Sequence, residues 1–494
     1  MNSVSEVFAN HVVSDGSALF LEPDVGESLS RLDAWSLAND IAAKLYAAGA
    51  RPGGRVTVVV EKSPEAFLVY LACNLAGYVY HPANSAYTDE ELAYLIEDAR
   101  PDVLICSPER EQSLSSMGPH ETFTLDQIGG GSLMNAPGSE RPVYEAEADD
   151  WAALLYTSGT TGKPKGAMLS QGNLLSNAIT LRDYWCFINE DRLLHMLPIF
   201  HAHGLFVAGN TCLVSGAAML FEPAFSPDRF FKRIGEATSF MAVPTLYGRL
   251  LKDPRLSPDT VRHVRLFTSG SAPLDAVTSD AFEAVSGSRI LERYGMTETL
   301  MLTSNPYGGE RRAGTVGHAL PGVDLRLRRE DGELAELGEL GVVEVDGPNV
   351  CSGYFNLPDK TAEAFTEDGY LITGDIGVLS EDGYLTLQGR VSDMIISGGY
   401  NVYPREVENV LLEFEGIDEA VVFGVPHPDF GEGVVAAITG SLAVDERIII
   451  EASRESLANY KSPKRVLMLD DLPKNAMGKV DRKALRAEYS GLFG

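Results

Sequence analysis

Short apolar runs alternate with helix-like segments along most of this chain, and this alternation limits the folds that it can adopt. An apolar helix is predicted over residues 64–76. Buried strands are predicted over residues 55–60, 103–106, 151–155, 193–197, 218–221 and 264–267. This pattern is typical of α/β proteins with largely parallel sheets, whose ligands bind at the carboxyl ends of the strands. We therefore expect an α/β fold with its functional residues placed just after strands.

The length of the chain predicts more than one domain, because 494 residues exceed what a single hydrophobic core holds. The texture of the sequence changes near residues 389–393. Beyond it, Pro404 opens an amphipathic helix, and strands are predicted over 420–425 and 434–439. We predict a large N-terminal domain over 1–390, a hinge over 391–393 and a small α+β C-terminal domain over 394–494. Residues 108–142 are predicted to be mostly loop.

Composition excludes several classes of protein. The net charge is −30, from 40 basic and 70 acidic residues, which argues against a nucleic-acid partner. No apolar run is long enough to cross a membrane, and the first residues do not form a signal peptide, so we expect a cytoplasmic protein with no membrane partner. The five cysteines are scattered, which argues against a disulfide framework or a zinc site.

A segment rich in glycine, hydroxyl groups and lysine follows the predicted strand at 151–155. Its sequence, YTSGTTGKPKG over 156–166, suits a polyphosphate, since it combines close backbone approach, hydroxyls and ammonium groups. Pro164 after Lys163 excludes the ordinary P-loop, in which a helix must follow the lysine. The alternative is a surface turn. The candidate residues are Thr157, Ser158, Gly159, Thr160, Thr161, Gly162, Lys163 and Lys165.

Four further segments carry polar residues in positions that suit a nucleotide. Tyr294 and Glu298, in LERYGMTE, offer a ring for a base and a carboxylate for Mg²⁺. Small residues at 268–273 follow a strand, and Asp375 in TGD can accept from ribose hydroxyls. Lys479 lies in a glycine-containing loop near the C-terminus, where an ammonium suits a phosphate. Taken singly, each is equally typical of an exposed turn or a solvated lysine.

The order of these motifs resembles the adenylate-forming acyl-CoA synthetase superfamily, which includes adenylation domains and firefly luciferase. The resemblance rests on YTSGTTGKPKG, GSAPL, YGMTET, TGD, a GR pair at the domain boundary, SGGYNVYPREVE and PKNAMGK, and it covers nearly the whole chain. Within that superfamily the chain resembles the malonyl-CoA synthetases through LPIFHAHGL, SNPY and GVPHPDFGEG.

The resemblance implies ATP, Mg²⁺ and coenzyme A as ligands and assigns a role to each segment. Residues 157–165 would hold the β- and γ-phosphates, with Thr160 and Glu298 on Mg²⁺. Thr297 would lie near the α-phosphate, and Asp375 and Arg390 would bind the ribose. Lys479 would bridge the acid and the α-phosphate. The remaining nucleotide residues would be Gly270, Ser271, Ala272, Pro273, Glu292, Arg293, Tyr294, Gly295 and Met296, and those for coenzyme A would be Ser397, Gly398, Gly399 and Tyr400.

The implied reaction joins malonate, or methylmalonate, to coenzyme A through an acyl-adenylate, and releases AMP and pyrophosphate. The distal carboxylate of such an acid needs a cation, for which Arg249 and Arg265 are the candidates. His201 and His203 would be further donors, with His201 also in a catalytic role. Ala202 and Met296 would set how large an α-substituent fits, and Ser269 would be a further substrate-binding residue.

Three alternatives stay open: another acid (aryl, medium-chain or oxalate), a nucleotide sensor without turnover, and either a monomer or a dimer. The superfamily rotates its C-terminal domain between its two half-reactions, which implies a hinge within 391–393. Many relatives carry Lys or Asp where this chain has Ser392, so the pivot residue is not assigned.

Overall fold

The computed structural model describes residues 1–157, 163–441, 445–474 and 480–494. The strands in these ranges are β1 (Leu19–Pro23), β2 (Leu29–Ser30), β3 (Arg55–Val59), β4 (Val79–Pro82), β5 (Val103–Cys106), β6 (Glu121–Thr124), β7 (Trp151–Thr157), β8 (Lys165–Ser170), β9 (Arg192–His195), β10 (Ala218–Phe221), β11 (Ser239–Ala242), β12 (Leu266–Ser269), β13 (Leu291–Met296), β14 (Leu300–Ser304), β15 (His318–Ala319), β16 (Asp324–Arg328), β17 (Leu340–Asp346), β18 (Leu371–Leu379), β19 (Leu385–Arg390), β20 (Ile395–Ser397), β21 (Tyr400–Val402), β22 (Ile417–His427), β23 (Gly431–Gly440) and β24 (Arg465–Met468).

The α-helices in the same ranges are α1 (Val4–Asp15), α2 (Arg31–Ala47), α3 (Pro64–Ala76), α4 (Asp89–Ala99), α5 (Glu111–Leu114), α6 (Ser132–Asn135), α7 (Gln171–Tyr184), α8 (Asn210–Ser215), α9 (Pro227–Arg233), α10 (Pro244–Leu251), α11 (Pro258–Val261), α12 (Ala276–Ser286), α13 (Pro358–Ala364), α14 (Pro404–Leu412), α15 (Glu446–Ser456) and α16 (Arg482–Glu488). A π-helical turn over His203–Gly209 leads into α8.

Two large sheets form the body of the N-terminal part. The nine-stranded sheet has the order β15-β14-β13-β12-β11-β9-β10-β1-β2, and its strands from β13 to β1 are all parallel. The six-stranded sheet has the order β6-β5-β3-β4-β7-β8, and only β8 in it is antiparallel. The predicted α/β class with mainly parallel sheets is confirmed.

Helix α3 packs against both large sheets. Ser63 caps its first turn by accepting from the Ala66 amide, Pro64 occupies the first helical position, and Gly77 ends it with φ +73°. Every residue from 66 to 76 is buried. The ring centre of Phe67 is 5.9 Å from that of Phe221 in the nine-stranded sheet. Tyr70 lies 5.3 Å from Tyr80 in the six-stranded sheet. Each such buried aromatic contributes roughly 1.5–3 kcal/mol, so α3 holds the two sheets together.

Two further sheets follow along the chain. Strands β16 to β19 form an antiparallel sheet, and β20 to β24 form a mixed five-stranded sheet on which α14 packs. Strand β19 ends at Arg390, a single 3₁₀ turn covers Val391–Asp393, and β20 begins at Ile395. The two apolar clusters of this last part contain only residues from Ile395 onward. The domain limits and the hinge at 391–393 stay predictions that are compatible with this division.

The structure corrects several element boundaries. Strand β12 runs from Leu266 to Ser269, two residues later than predicted, which puts Ser269 at its carboxyl end. Strand β9 is shorter than predicted and ends at His195. The segment 108–142 contains β6, which pairs in parallel with β5 and extends the sheet. Its polar residues hid this strand because an edge strand is half exposed. In the described ranges, no helix combines the length and apolar character that a membrane span needs.

We expect Gly317→Ala to destabilise the fold far more than Gly332→Ala. Both glycines have positive φ, of +80° and +89°, so alanine at either costs about 1 kcal/mol in backbone strain. A Cβ at Gly317 would lie 2.1 Å from the backbone at Ser304 and Asn305, whereas one at Gly332 would meet nothing within 4 Å. Overpacking against backbone adds about 1–3 kcal/mol or more at Gly317 alone. Urea denaturation of both variants measures this, and equal losses would contradict it.

Candidate active site

The carboxyl edge of the nine-stranded sheet gathers most of the predicted site residues. Because β9, β11, β12 and β13 are parallel neighbours, the segments that follow them meet at one edge. After β9 comes the loop with His201, Ala202 and His203; after β11, helix α10 with Arg249. Residues 270–273 follow β12, and Thr297 and Glu298 follow β13.

A side-chain contact joins two of these segments. The Oγ of Ser271 lies 3.2 Å from Nδ1 of His203, so the loop after β12 touches the loop after β9. Ser271 adopts φ +70°, a conformation that turns its backbone sharply after the strand. His203 is buried, and His201 and Ala202 are half-buried. The structure therefore brings the predicted acid-binding and adenine-binding segments together.

Arg293 is a buried cation on β13. Only 2% of it is exposed, and all three nitrogens of its guanidinium lack a hydrogen-bond partner among the described residues. Burial lowers its pKa to about 9, against the opposing influence of Tyr247 and Glu292. A Cβ at Gly270 would lie 2.3 Å from its Nη1, so the guanidinium fits only because residue 270 is a glycine. The Oγ of neighbouring Ser269 is likewise buried without a partner in the described ranges.

A buried, uncompensated guanidinium costs several kcal/mol unless an anion offsets it. The resemblance assigns Arg293 to the nucleotide, and this assignment stays a prediction. The guanidinium lies beside Gly270, and an anionic ligand of either kind, nucleotide or acid, would offset its charge.

Glu292 precedes Arg293 on β13, and successive residues of a strand point to opposite faces of the sheet. Its Oε1 accepts from the Leu274 amide at 2.9 Å, while Oε2 is buried with no partner among the described residues. Burial raises the pKa of this carboxyl to about 8. The loop 270–274 therefore closes over an acceptor that lies in the predicted adenine region.

Tyr294, Asp375 and Arg390 form one hydrogen-bonded chain. The Tyr294 hydroxyl donates to Oδ2 of Asp375 at 2.5 Å, and Nε of Arg390 donates to Oδ1 at 2.9 Å. Asp375 and Arg390 are direct cross-strand partners of β18 and β19. The charge of Asp375 raises the pKa of Arg390, and burial raises that of Tyr294. The residues expected at adenine and ribose thus form one unit beside the boundary at 391.

The predicted phosphate segment is described only at its ends. Ser158, Gly159, Thr160, Thr161, Gly162 and Lys479 lie outside the described residues. Thr157 and Lys165 are paired across the β7–β8 hairpin. The Nζ of Lys163 lies 4.8 Å from the ring centre of Tyr94, and that of Lys165 lies 4.3 Å from the ring centre of Tyr354.

Tyr354 connects the phosphate segment to Glu298. Its hydroxyl donates to Oε1 of Glu298 at 2.9 Å, while its ring faces Lys165. Sequence reasoning missed this residue, because 56 positions separate it from Glu298 and no motif marks it.

Glu298 also fits Mg²⁺. It is 5% exposed, and only its Oε1 accepts a hydrogen bond within the described part of the chain. The described residues contain no cluster of three or more metal-binding side chains. Mg²⁺ that bridges phosphates usually takes only one or two protein carboxylates, so this donor set suits a nucleotide-bound ion and not a separate metal centre.

The two arginines proposed for the acid lie in different surroundings. Arg249 is exposed on α10, with its guanidinium 5.0 Å from the ring centre of Phe225. Arg265 precedes β12 and lies at the opposite edge of the sheet. Its Nε donates to Asp191 at 2.8 Å, its Nη2 also binds that carboxylate, and Nη1 donates to the carbonyl of Trp185 at 3.0 Å. This satisfied ion pair argues against the expectation that Arg265 contacts the acid.

The SNPY segment has a structural role in the described contacts. The Asn305 amide donates to the backbone carbonyls of Glu292 and Thr315, at 3.0 and 2.8 Å. Trp185 donates to the Ser304 hydroxyl at 3.0 Å. These bonds fix the position of β13, which is the strand that carries Arg293.

The remaining site residues lie on two turns. Met296 and Thr297 are half-buried where β13 turns toward β14, and Gly295 lies so close to the chain that a Cβ would meet the Leu300 oxygen at 1.8 Å. Gly398 and Gly399, with φ of +61° and +81°, form the two-residue turn between β20 and β21.

That glycine turn carries no side chain at its tip, and its flanks are fixed. The Gly398 amide donates to the Phe430 carbonyl at 2.8 Å. Ser397 is buried, while Tyr400 stacks on Tyr460 with ring centres 4.7 Å apart. A bare, rigid turn of this kind suits close passage of a slender ligand, as predicted for coenzyme A.

We expect Glu292→Gln to become more stable than the wild type as the pH rises. The folded pKa of about 8 exceeds the ordinary value of 4.5, so the stability contributed by protonated Glu292 is complete below 4.5 and is lost toward pH 8. Glutamine resembles the protonated form at every pH. The free energies of unfolding from urea denaturation should nearly agree at about pH 5 and differ by about 4 kcal/mol at about pH 8.5. The exposed control Glu90→Gln should show no such trend; a pH-independent difference for Glu292→Gln would refute the interpretation.

Comparison with known proteins agrees with this geometry. Residues 8–355 match the model of the AMP-binding enzyme family, and residues 406–479 match the AMP-binding enzyme C-terminal domain. A malonate–CoA ligase from Arabidopsis thaliana is 34% identical, over 89% of this chain and 78% of that protein. An oxalate–CoA ligase from the same plant is also 34% identical, over 90% of each chain.

Solved structures match over the whole chain. ATP-bound MatB from Rhodopseudomonas palustris is 44% identical, covers 100% of both chains and superposes with a TM-score of 0.97. The apo form of the same protein superposes with a TM-score of 0.85. The arrangement described above is therefore nearer the ATP-bound form. The chain belongs to the AMP-binding enzymes and, within them, to the acid–CoA ligases.

Proposed function

We propose that this enzyme joins malonate, or methylmalonate, to coenzyme A, with ATP converted to AMP and pyrophosphate. The observation that carries the proposal is the buried guanidinium of Arg293, whose three nitrogens have no hydrogen-bond partner among the described residues. It lies against Gly270 at the carboxyl edge of the sheet, where the acid-binding and nucleotide-binding segments touch. A short dicarboxylate supplies the missing charge with its distal carboxylate, while its other carboxylate reacts.

The relatives do not decide the acid, because the feruloyl-CoA synthase of an Amycolatopsis species is 34% identical to this chain, as are two dicarboxylate ligases. The malonate and oxalate ligases of Arabidopsis are equally identical to this chain. Oxalate is one carbon shorter, so its distal carboxylate reaches less far toward Arg293 from the same reacting position. We therefore favour malonate and keep oxalate as the second candidate.

The first half-reaction brings two anions together, and the site offsets them locally. An oxygen of the acid attacks the α-phosphorus of ATP, and pyrophosphate leaves, which yields the acyl-adenylate. The hydroxyls and lysines of 157–165 hold the leaving phosphates, and Asp375 with Arg390 holds the ribose. His201 and His203 would orient the acid, and Lys479 would bridge its carboxylate and the α-phosphate. Glu298 and Thr160 would hold Mg²⁺, which supplies positive charge to the phosphates when bound.

The second half-reaction needs different groups at the same carbonyl. The thiol of coenzyme A attacks the acyl carbon, and AMP leaves. We propose that rotation about 391–393 withdraws Lys479 and brings the glycine turn at 398–399 to the acyl group. The better superposition on the ATP-bound relative supports assigning the present arrangement to the first half-reaction.

We expect malonate to be the best substrate in a panel with methylmalonate, oxalate, acetate, octanoate and 4-coumarate, measured by pyrophosphate release with and without coenzyme A. Arg293→Met should lower kcat/KM for malonate by about 100-fold or more, since it removes the cation that binds the distal carboxylate. Any turnover of acetate should survive, because acetate has no second charge.

Arg265→Met is the matched control, because it removes an arginine that is already paired with Asp191. It should leave the ratio of malonate to acetate turnover unchanged. A wild type that turns over only monocarboxylates would refute the dicarboxylate proposal. Equal losses for malonate and acetate in Arg293→Met would remove Arg293 from the acid pocket.

We expect Lys479→Ala to separate the two half-reactions. Adenylation should fall by about 100-fold or more, because the charge between acid and α-phosphate is lost. Thioester formation from supplied malonyl-adenylate should stay within about threefold of the wild type. Lys483→Ala, four residues further on in α16, is the control and should affect neither step. Unimpaired adenylation by Lys479→Ala would contradict this role. It would favour the alternative hypothesis of a nucleotide-binding sensor without turnover.

A further inference from the structure

A buried lysine joins the carboxyl edges of the two large sheets. Lys62 follows β3 of the six-stranded sheet, and only 7% of it is exposed. Its Nζ donates to the backbone oxygen of His195, at the end of β9 in the nine-stranded sheet, at 2.8 Å. The same Nζ lies 2.8 Å from Nδ1 of His195 and 4.2 Å from the ring centre of Phe221. One ammonium thus spans the two sheets.

The other ring nitrogen of His195 forms a hydrogen bond with the segment that follows β9. Its Nε2 lies 2.7 Å from the carbonyl oxygen of Gly204. Because a carbonyl only accepts, Nε2 must carry the ring proton, and Nδ1 must then accept from Lys62. Both neighbours therefore require the same tautomer of His195, which is 2% exposed.

The bond to Gly204 closes the base of the loop 196–203. The loop is tight there, since a Cβ on Gly204 would lie 2.1 Å from the Pro198 oxygen. This loop carries His201, Ala202 and His203, and His203 contacts Ser271 of the neighbouring segment. The position of its tip thus depends on a buried relay at its base.

We propose that Lys62 and His195 are positioning residues that fix the acid-binding loop 196–203 through Gly204. Neither touches the reacting atoms; they act by holding the backbone from which the acid is bound. Burial lowers the pKa of Lys62 well below its ordinary value, with Glu222 opposing this. The contacts with His195 need only N–H donors on Nζ, which both the ammonium and the neutral amine provide. The inference rests on the proposed function only in taking this loop as a wall of the acid pocket.

The test compares Lys62→Met with Lys44→Met in the full-length enzyme. Lys44 is a matched control: it is also 7% exposed, and its Nζ donates to the Met134 carbonyl and pairs with Asp40, remote from the loop. We expect Lys62→Met to raise the KM for the acid about tenfold or more while the KM for ATP stays within about twofold. Lys44→Met should lower the melting temperature comparably without changing either KM.

The acid used is whichever one the wild type turns over fastest. An error in the proposed substrate would therefore show in the wild type, before the variants are compared. Identical kinetics for the two lysine variants, or equal rises in both KM values for Lys62→Met, would reduce Lys62 to a structural residue and overturn the proposal.

A double-mutant cycle tests the relay itself. His195→Phe keeps a ring but removes both hydrogen bonds, so the double variant Lys62→Met/His195→Phe should be no worse than the worse single variant. Fully additive losses would overturn the relay. If Lys62→Met does not fold, His195→Phe alone decides, because it keeps a ring but removes both hydrogen bonds of the relay. A rise of about threefold in the KM for the acid alone supports the proposal, and an unchanged KM overturns it.

Discussion

Parallel strand direction is the constraint on which the rest of this structure depends. The strands from β13 to β1 run the same way, so the chain leaves each of them at the same edge. Residues far apart in sequence, such as His203 and Ser271, meet there and form a hydrogen bond. The six-stranded sheet is held against this edge by α3, whose apolar surface is buried all round. The active site is a consequence of that packing.

The chain is strongly acidic overall, but basic side chains are buried near the candidate site. The chain carries −30, yet the carboxyl edge holds the buried cations Lys62 and Arg293. In the low dielectric of the interior a single cation acts over short distances with little screening, so net charge says little about the local field. Lys62 is held by His195, and Arg293 is the cation for which we propose an anionic ligand.

Features that neighbouring residues determine could be predicted from the sequence, whereas contacts between residues far apart in the chain could not. Helix α3 is predicted to its last residue, because Ser63, Pro64 and Gly77 are local signals. The segments of the candidate site are also predicted, because their motifs occur in a characteristic order along the chain. The partner of Arg265 does not, since Asp191 lies 74 positions away, and neither does Tyr354 beside Glu298. Strand β6 was hidden because its order comes from pairing with β5. The roles of 158–162 and Lys479 stay predictions.

The close contact between Gly270 and Arg293 limits how this pocket can change during evolution. A Cβ at residue 270 would lie 2.3 Å from Nη1 of Arg293, so a side chain at this position requires the guanidinium to move. Loss of the arginine, by contrast, leaves a cavity that a larger residue at 270 can fill. The order of two substitutions therefore matters: a change at 293 before one at 270 avoids the overpacked intermediate that the reverse order passes through.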